Sequence, residues 1–472
     1  MAALDPVGTV VIVMLENRSF DHMAGYLSLI DPRLPVDGLA TPDGSSVDYR
    51  VALTPLLNGS YLNVSAADGV LHYPFHMQDN ALTADLPHDR YSVQTQLGRQ
   101  DSTGAYTMEG FVDAYYATTP SRMDLVDPMG FFTAAEAPLT DFFARQFTTC
   151  DRWFSSIPTD TQPNRLMAYN GETQTDRTSG LPPDQPVVLD WMDQNRVDWR
   201  VYSDDISFFA LFRHLWPKIL TDRFRKFSSL TTDVLNADPN NPASFPKVIF
   251  VEPSYADSPI HPDHDPNDDH PPLQIGFGED FLRQVYQALT PPGNLAVWNR
   301  MVMLVTYDEH GGFYDHVSPL SPVAASCGAD NAPFTSTGPR VPAFIVSPFV
   351  SAGSIYHNNL DHTSILEFLA EWLTPGQAYS QAVATRLAQP GFGLPPGKGR
   401  ISSIFDLLAQ PRKQPPEEPL QVLGGVRASP GKKVARTPNE LAFEQAVQGM
   451  IQANPNGVAN KYPGLVHWDQ NK

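Results

Sequence analysis

The sequence predicts an α/β domain built on a doubly wound, mixed but mostly parallel sheet, with helices on both faces and loop-rich insertions. Three observations carry this expectation. Residues 10–15 and 301–305 are apolar at every position, the pattern of strands covered on both faces. Strand-like and helix-like stretches alternate over roughly 370 residues, as βαβ units in one sheet do. The 45 prolines are about twice ordinary usage, so long, stiffened loops are expected around that sheet.

Residues 7–27 read as strand, turn and the start of a helix. Residues 35–105 read as a loop and β insertion, with short strands near 51–53 and 61–64 and Asn58-Gly59 as a hairpin turn. A helix is expected near 138–147, then one short strand over 148–154, then a helix through 166–170. Further strands are expected at 199–202, 247–251 and 341–347, and helices at 276–289 and 362–373. The last of these has Leu366, Phe368, Leu369 and Trp372 on its apolar side. From about 410 to 438 the chain turns to Pro, Lys, Arg, Gln and Gly and reads as a linker, followed by a helix over 439–453. The expected organisation is a catalytic domain over 1–409 and a short tail over 410–472, too small for a second catalytic domain.

Acidic residues (52) outnumber basic ones (32), for a formal charge of −20. That balance argues against nucleic acid as a partner, because no excess of Lys or Arg exists to neutralise phosphates. It argues equally against simple adsorption to anionic membranes. Two cysteines, Cys150 and Cys327, make no disulfide framework and read as buried free thiols. Residues 10–15 lack a basic flank, so no signal peptide is visible, and no apolar run approaches the roughly 20 residues of a membrane span. The sequence as given reads as soluble and cytoplasmic; a secreted or periplasmic location would require a leader already removed.

Each apolar run ends on an acidic segment. The first is Glu16-Asn17-Arg18-Ser19-Phe20-Asp21-His22, the second Asp308-Glu309-His310-Gly311-Gly312-Phe313-Tyr314-Asp315-His316. Ligands of open α/β sheets bind beyond the carboxyl ends of the strands, so Glu16, Asn17, Asp308 and Glu309 are candidates to converge. Three carboxylates and an amide gathered there would repel one another without a cation. Hard oxygen ligands suit Ca²⁺, Mg²⁺ or Mn²⁺, though carboxylate sites also take Zn²⁺ or Fe. Adjacent strand residues point to opposite faces, so Asp308 and Glu309 can share an ion only where the pleat ends, and Gly311 and Gly312 supply that freedom. Solvated loop acids or helix caps are the plainer alternative for any one pair; two pairs at matching strand ends weaken it.

Thr161 stands two residues before Pro163, by default a helix cap or turn position. The functional reading uses the same geometry: a hydroxyl at a helix N-terminus, where backbone amides favour an anion. In contact with the metal it would become a nucleophile near neutral pH, and Arg165 could help hold a phosphate. His88 and His270 lie in polar, loop-like surroundings; His310, His316 and His362 lie in or beside the strand-end motifs. Taken singly, a histidine is usually a surface or satisfied core residue. A phosphoryl substrate nevertheless needs proton donors and cations, which this acidic chain must supply locally.

Segments 16–22, 85–88, 108–111, 150–154, 161–165, 270–272, 308–317, 340–348 and 361–366 together match a known pattern, in order, up to about residue 373. The chain resembles the phosphoesterase family that contains bacterial and plant non-specific phospholipases C and related acid phosphatases. The resemblance implies an alkaline-phosphatase-like fold and metal-assisted hydrolysis of phosphate esters. It puts the nucleophile on Thr161 and the metal ligands on Glu16, Asn17, Asp308 and Glu309, with Thr161 as a further ligand. Phosphate contact and proton donation fall on His88 and His270, with Arg165, His310 and His362 in substrate-binding or supporting places. Arg90 stands where family members often carry an aromatic residue, and the tail does not contain the extra domains of some bacterial phospholipases C.

The function expected on this resemblance is that of a phospholipase C, releasing diacylglycerol and a phosphorylated head group through a phosphothreonine, with transient contact at the membrane surface. A broad acid phosphatase acting on soluble phosphomonoesters is the first alternative. A catalytically silent phosphate- or lipid-binding protein is the second; it would have lost Thr161 or a carboxylate, and this sequence has lost none. The aromatic segment 206–216 reads either as a wall contacting acyl chains or as a helix packed on the core.

Overall fold

The two apolar runs lie side by side at the centre of an eight-stranded sheet. The computed structural model describes residues 4–31, 33–39, 63–64, 69–77, 85–119, 127–259, 265–329, 331–393, 400–405, 411–419 and 437–465. In chain order the strands are β1 (Thr9–Leu15), β2 (Thr148–Cys150), β3 (Trp199–Tyr202), β4 (Phe224–Arg225), β5 (Val248–Val251), β6 (Met301–Tyr307), β7 (Ala343–Val346) and β8 (Ser354–Tyr356). Across the sheet they run β8-β2-β7-β6-β1-β5-β3-β4. Every pairing is parallel except the two made by β7. β1 and β6 pair from Thr9 opposite Met301 to Leu15 opposite Tyr307, and every residue of both is buried. Continuous apolar runs demand this, because alternate side chains leave both faces and each face needs a cover.

The main helices are α1 (Arg90–Leu97), α2 (Phe111–Thr118), α3 (Pro138–Gln146), α4 (Thr161–Asn170), α5 (Ile275–Leu289), α6 (Thr363–Leu373) and α7 (Pro438–Ala453). Strand register shows how they divide. Phe250, Ile12, Leu304 and Ile345 stand in one row and share a face, so Phe344 points to the other. The ring of Tyr169 in α4 meets Phe250, with centroids 6.0 Å apart, whereas Phe143 in α3 meets Phe344 at 6.2 Å. α3 and α4 therefore cover opposite faces. α5 joins α3 through Tyr286, and α6 packs against α4. The sheet is doubly wound, mixed and mostly parallel, as the sequence predicts.

Several elements differ from expectation. The single strand expected over 148–154 breaks at Asp151 and Arg152, whose side chains both engage Asp37. β2 stays in the main sheet, while Trp153–Phe154 pairs separately with Leu360–Asp361. α1 lies inside the segment read as loop and β insertion; Asp89 caps it by accepting from the amides of Tyr91 and Ser92. Asn58-Gly59 and the strand near 51–53 fall outside the described residues. Of 61–64, Asn63–Val64 forms a strand against Leu71–His72. Most of the expected linker is likewise outside the described residues, and beyond it Thr437 caps α7.

The aromatic segment 206–216 is not a lipid-facing wall. It forms two short 3-10 turns and one helical turn, and Ile206, Phe208, Phe209, Leu211, Phe212 and Leu215 are all buried. Phe209 stacks on Tyr169 of α4 (4.6 Å) and Phe208 meets Phe443 of α7 edge-on (6.0 Å). These rings fill the space between two helices. Cys150 and Cys327 are free and buried, and no described helix is long and apolar enough to cross a membrane.

Candidate active site

Leu15 and Tyr307 are paired, so Glu16 and Asp308 leave the sheet at the same level on neighbouring strands. Glu16, Asn17, Asp308 and Glu309 are fully buried. The pleat ends here in a defined way. Asn17 adopts the left-handed conformation (φ 65°), which Asn tolerates better than most residues. Gly311 has φ 63°, and a Cβ on it would stand 2.0 Å from the carbonyl oxygen of Asn17, so only glycine lets the two turns nest. Asp308 Oδ1 accepts from the amides of Asn17 (3.2 Å) and Glu309 (2.8 Å), and Glu309 Oε2 accepts from the Gly311 amide (2.8 Å).

Arg165 organises these acids from below. Its guanidinium donates to Glu16 Oε1 (3.0 Å), Asp308 Oδ2 (3.2 Å), the hydroxyls of Tyr169 (3.2 Å) and Tyr255 (3.1 Å), and the Leu15 carbonyl (3.5 Å). Fully buried and fully engaged, it has no N–H left for a phosphate, and the expectation that it helps hold one is corrected on that ground. Thr161 opens α4 one turn earlier, on the same helix face. The cap of α4 is Asp160, not Thr161, and Asp160 Oδ1 accepts from the Thr178 amide instead (2.9 Å). The Thr161 hydroxyl is therefore not consumed in capping.

The expected histidines separate into two kinds. His88 Nδ1 lies 2.7 Å from the Leu86 carbonyl, so its Nε2 is the free end, 3.5 Å from Asn17 Nδ2 and 3.9 Å from Glu309 Oε1. The His270 ring is 6.3 Å from that of His88, and its Nδ1 lies 2.6 Å from the Pro271 carbonyl. The other two hold the strand-end acids in place. His310 has Nδ1 3.2 Å from Glu309 Oε2 and Nε2 2.8 Å from Gln96 Oε1. His362 Nε2 donates to the Asp308 carbonyl (2.6 Å) and Nδ1 accepts from the Trp153 indole (3.2 Å); these partners fix a neutral ring. His316 lies away from this group, with Nδ1 2.7 Å from Asp21 Oδ2.

Burial sets the electrostatics. It pushes the Glu16 carboxyl well above its usual range and Asp308 up to about 6, against the opposing pull of Arg165. Burial would raise Glu309 as well, but His88, His310 and the Gly311 amide outweigh it and the carboxyl stays low. Burial would lower His88 and His270; instead the charges of Glu309 and Asp85 raise His88 to about 9, and those of Asp85, Asp257 and Glu16 raise His270 to about 10. Burial takes His362 down to about 4. Two histidines are thus protonated at neutral pH beside a cluster of acids.

The donor set fits a divalent cation. Glu16 Oε2, Asn17 Oδ1 and Glu309 Oε1 are buried without a hydrogen-bond partner, and orphaned buried polar atoms cost about 1–3 kcal/mol each. The three open oxygens on Glu16, Asn17 and Glu309 are the hard donors that such a cation takes. Two tighter groups exist among the described residues, each with three ligand atoms within 4.8 Å of one another: Asp85, His88 and His270, and Asp21, Asp315 and His316. Arg340 already lies within the second, donating to Asp315 (2.9 Å) and Asp21 (3.1 Å). Glu16, Asp308 and Glu309 are less closed, because Arg165 stands between the first two. Sequence reasoning did not single out Tyr169, Tyr255, Asp85 or Asp257. Tyr169 carried one signal, its place four residues after Arg165 on a helix; Tyr255 and Asp257 carried none.

A family model described as the Phosphoesterase family matches residues 7–373. The chain is similar to non-specific phospholipase C1 of Arabidopsis thaliana, at 29% identity over 98% of this chain and 82% of that one. It is similar to phospholipase C B of Mycobacterium tuberculosis at 25% (96% and 90% covered), and to the non-hemolytic phospholipase C of Burkholderia pseudomallei at 28% (76% and 54% covered). Among solved structures it aligns with a Vibrio parahaemolyticus protein of the alkaline phosphatase superfamily, at 11% identity and TM-score 0.30 over 54% of this chain and 64% of that one. That overlap is too small to bear on activity.

Proposed function

Because the chain belongs to the phosphoesterase family, and is therefore a phosphoric ester hydrolase, we propose that it is a metal-dependent enzyme of phospholipase C type that works through a phosphothreonine on Thr161. The observation that carries this proposal is the set of buried, unpartnered oxygens on Glu16, Asn17 and Glu309 beside the start of α4. The relatives named phospholipase C support its lipid part.

Glu16, Asn17, Asp308 and Glu309 would hold the metal, with Thr161 as a further ligand. When bound, a divalent cation would neutralise charge on the phosphoryl oxygens and make the Thr161 hydroxyl more acidic. Thr161 Oγ1, its proton given up to solvent, attacks phosphorus in line, forming a P–O bond to threonine as the bond to the glycerol oxygen breaks. That oxygen leaves as diacylglycerol after taking a proton from His270 or His88, whose neighbouring carboxylates, Asp85 among them, favour the protonated ring. Water then attacks phosphorus and returns a proton to that histidine, the bond to Thr161 breaks to leave its oxygen as at the start, and the phosphorylated head group departs. Arg165 keeps the Glu16 and Asp308 carboxylates aimed; His310 and His362 steady Glu309 and the Asp308 backbone.

Burial of the 206–216 rings favours a second reading. With its rings in the core, that segment supplies no acyl-chain wall to distinguish a lipid enzyme from an acid phosphatase of soluble monoesters. Comparing kcat/KM on phosphatidylcholine, other phospholipids and p-nitrophenyl phosphate separates the two. Diacylglycerol release is expected; turnover of p-nitrophenyl phosphate with none from any lipid would establish the phosphatase. No turnover of either would leave a phosphate-binding protein.

A further inference from the structure

The amino ends of β1 and β6 lie one strand length, about 20 Å, from the candidate active site. Against them opens a cavity of about 550 Å³ whose lining includes Gly8, Lys247, Arg300 and Trp372, a size suited to a small organic ligand. Arg300 immediately precedes β6, and its carbonyl accepts from the Gly8 amide (2.7 Å). The missing side chain at Gly8 lets the guanidinium lie against the backbone, since a Cβ there would stand 2.8 Å from Arg300 Nε. That Nε is buried and has no hydrogen-bond partner.

Lys247 extends over the Trp372 ring, with Nζ 5.7 Å from its centroid. Neither Lys247 nor Arg300 forms an ion pair among the described residues. Two acids also line the cavity, but Glu371 is taken by Arg400 and Asp5 is exposed to solvent. In a chain with 52 acidic and 32 basic side chains, two cations lining one cavity, neither ion-paired among the described residues, stand out. An anion in the cavity would set an opposing charge against these two cations.

We infer that this cavity is an anion-binding site, separate from the active site, which takes a phosphomonoester: Arg300 and Lys247 on the phosphate oxygens, Trp372 against the organic part. Arginine matches phosphate geometry with paired N–H donors, and an indole face suits the apolar remainder of such a ligand. The cavity is much larger than a bare inorganic ion needs. A soluble phosphomonoester and a lipid phosphomonoester head group share this chemistry.

The test uses full-length protein labelled with 5-fluorotryptophan, in which Trp372→Phe identifies the ¹⁹F resonance of Trp372. Inorganic phosphate and methylphosphonate, which contain no ester bond to cleave, are titrated at constant ionic strength. A parallel series uses phosphatidylcholine vesicles with and without phosphatidic acid. Saturable movement of the Trp372 signal is expected, with affinity at least tenfold weaker in the Arg300→Gln, Lys247→Gln double variant and kcat/KM within twofold of wild type. Response to the soluble anions assigns a soluble ligand; response only to vesicles containing phosphatidic acid assigns a lipid. No saturable shift with any probe, an equal response to chloride, or undiminished affinity in the double variant would overturn the site. If the double variant fails to fold, Lys247→Gln alone, at an exposed position, should weaken binding at least threefold, and unchanged affinity there would count against the site equally.

Discussion

Asp160 rather than Thr161 occupies the cap of α4, and this separates two consequences of altering Thr161. Thr161→Ala should lower kcat by several orders of magnitude, because it deletes the atom that carries the covalent intermediate. It should not bring the loss of about 0.5–2 kcal/mol expected for a true N-cap. Thr161→Ser should keep part of the activity, since a hydroxyl remains without the rotamer restraint of the β-branch. Measuring kcat and Tm together decides it: a destabilised but fully active alanine variant would refute the nucleophile. The two strand-end acids should also differ. Glu309→Ala should lose bound metal, read by elemental analysis, and lower Tm by leaving the Gly311 amide, His88 and His310 without their carboxylate, while Arg165 keeps both of its own. Asp308→Ala should lose metal too, and also leave Arg165 buried with one carboxylate fewer, at a cost of about 3–5 kcal/mol. Full metal occupancy in both variants would remove them from the coordination. The four strand-end residues were legible in the sequence because apolar runs mark where strands stop. The role of Arg165 was not, since a pattern of spacings does not show that Tyr169, Tyr255, Glu16 and Asp308 already surround its guanidinium.

Among the elements, those with strong periodic signals stand where the sequence puts them. β1 and β6 are seven-residue runs without a polar interruption, and α5 and α6 begin within one residue of expectation. β4 and β8, with two and three residues, are too short for any period to register. The sequence left residues 206–216 open between core and substrate contact, because an aromatic cluster looks the same in either place. What closes that segment into the core is α7, a helix distant in sequence. Phe443 of α7 is fully buried and meets Tyr255 (5.6 Å) and Phe208 (6.0 Å), both of which touch Arg165. Asn439 accepts from Gln162, the neighbour of Thr161 (3.2 Å). Phe443→Ala should therefore cost about 3–5 kcal/mol and lower kcat as well, because the cradle of Arg165 loosens. Chemical denaturation and steady-state kinetics check both halves; a Phe443→Ala protein with unchanged midpoint and kcat would detach α7 from the catalytic unit.

At the scale of the whole molecule, composition set the sign of the charge but not where it is hidden. Many acids lie inside the fold, and their protonation gives stability an unusual dependence on pH. Burial raises Asp205 and Glu279 to about 7, whereas an unfolded carboxyl titrates near 4. Between those values the folded protein keeps protons that the unfolded chain has released, so stability falls as pH rises. His316 acts in the same direction. Burial would lower it, but the charge of Asp21 and hydrogen bonds to Asp21 and Asp37 raise it to about 9. Its contribution is complete below the unfolded value of about 6.5 and is lost as pH passes 9. Asp37 works the other way: hydrogen bonding to His316 holds it below the usual range, so its share is lost only in stronger acid. Stability should therefore peak near pH 5 and decline steadily towards pH 9, read as Tm in metal-free buffers of matched ionic strength. Glu279→Gln should flatten the decline between pH 5 and 7, because an amide still accepts from the Leu139 and Thr140 amides yet does not titrate. A wild-type Tm that climbs from pH 5 to 8, or a Gln variant with an unchanged slope, would show that these buried acids are ionised in the folded protein.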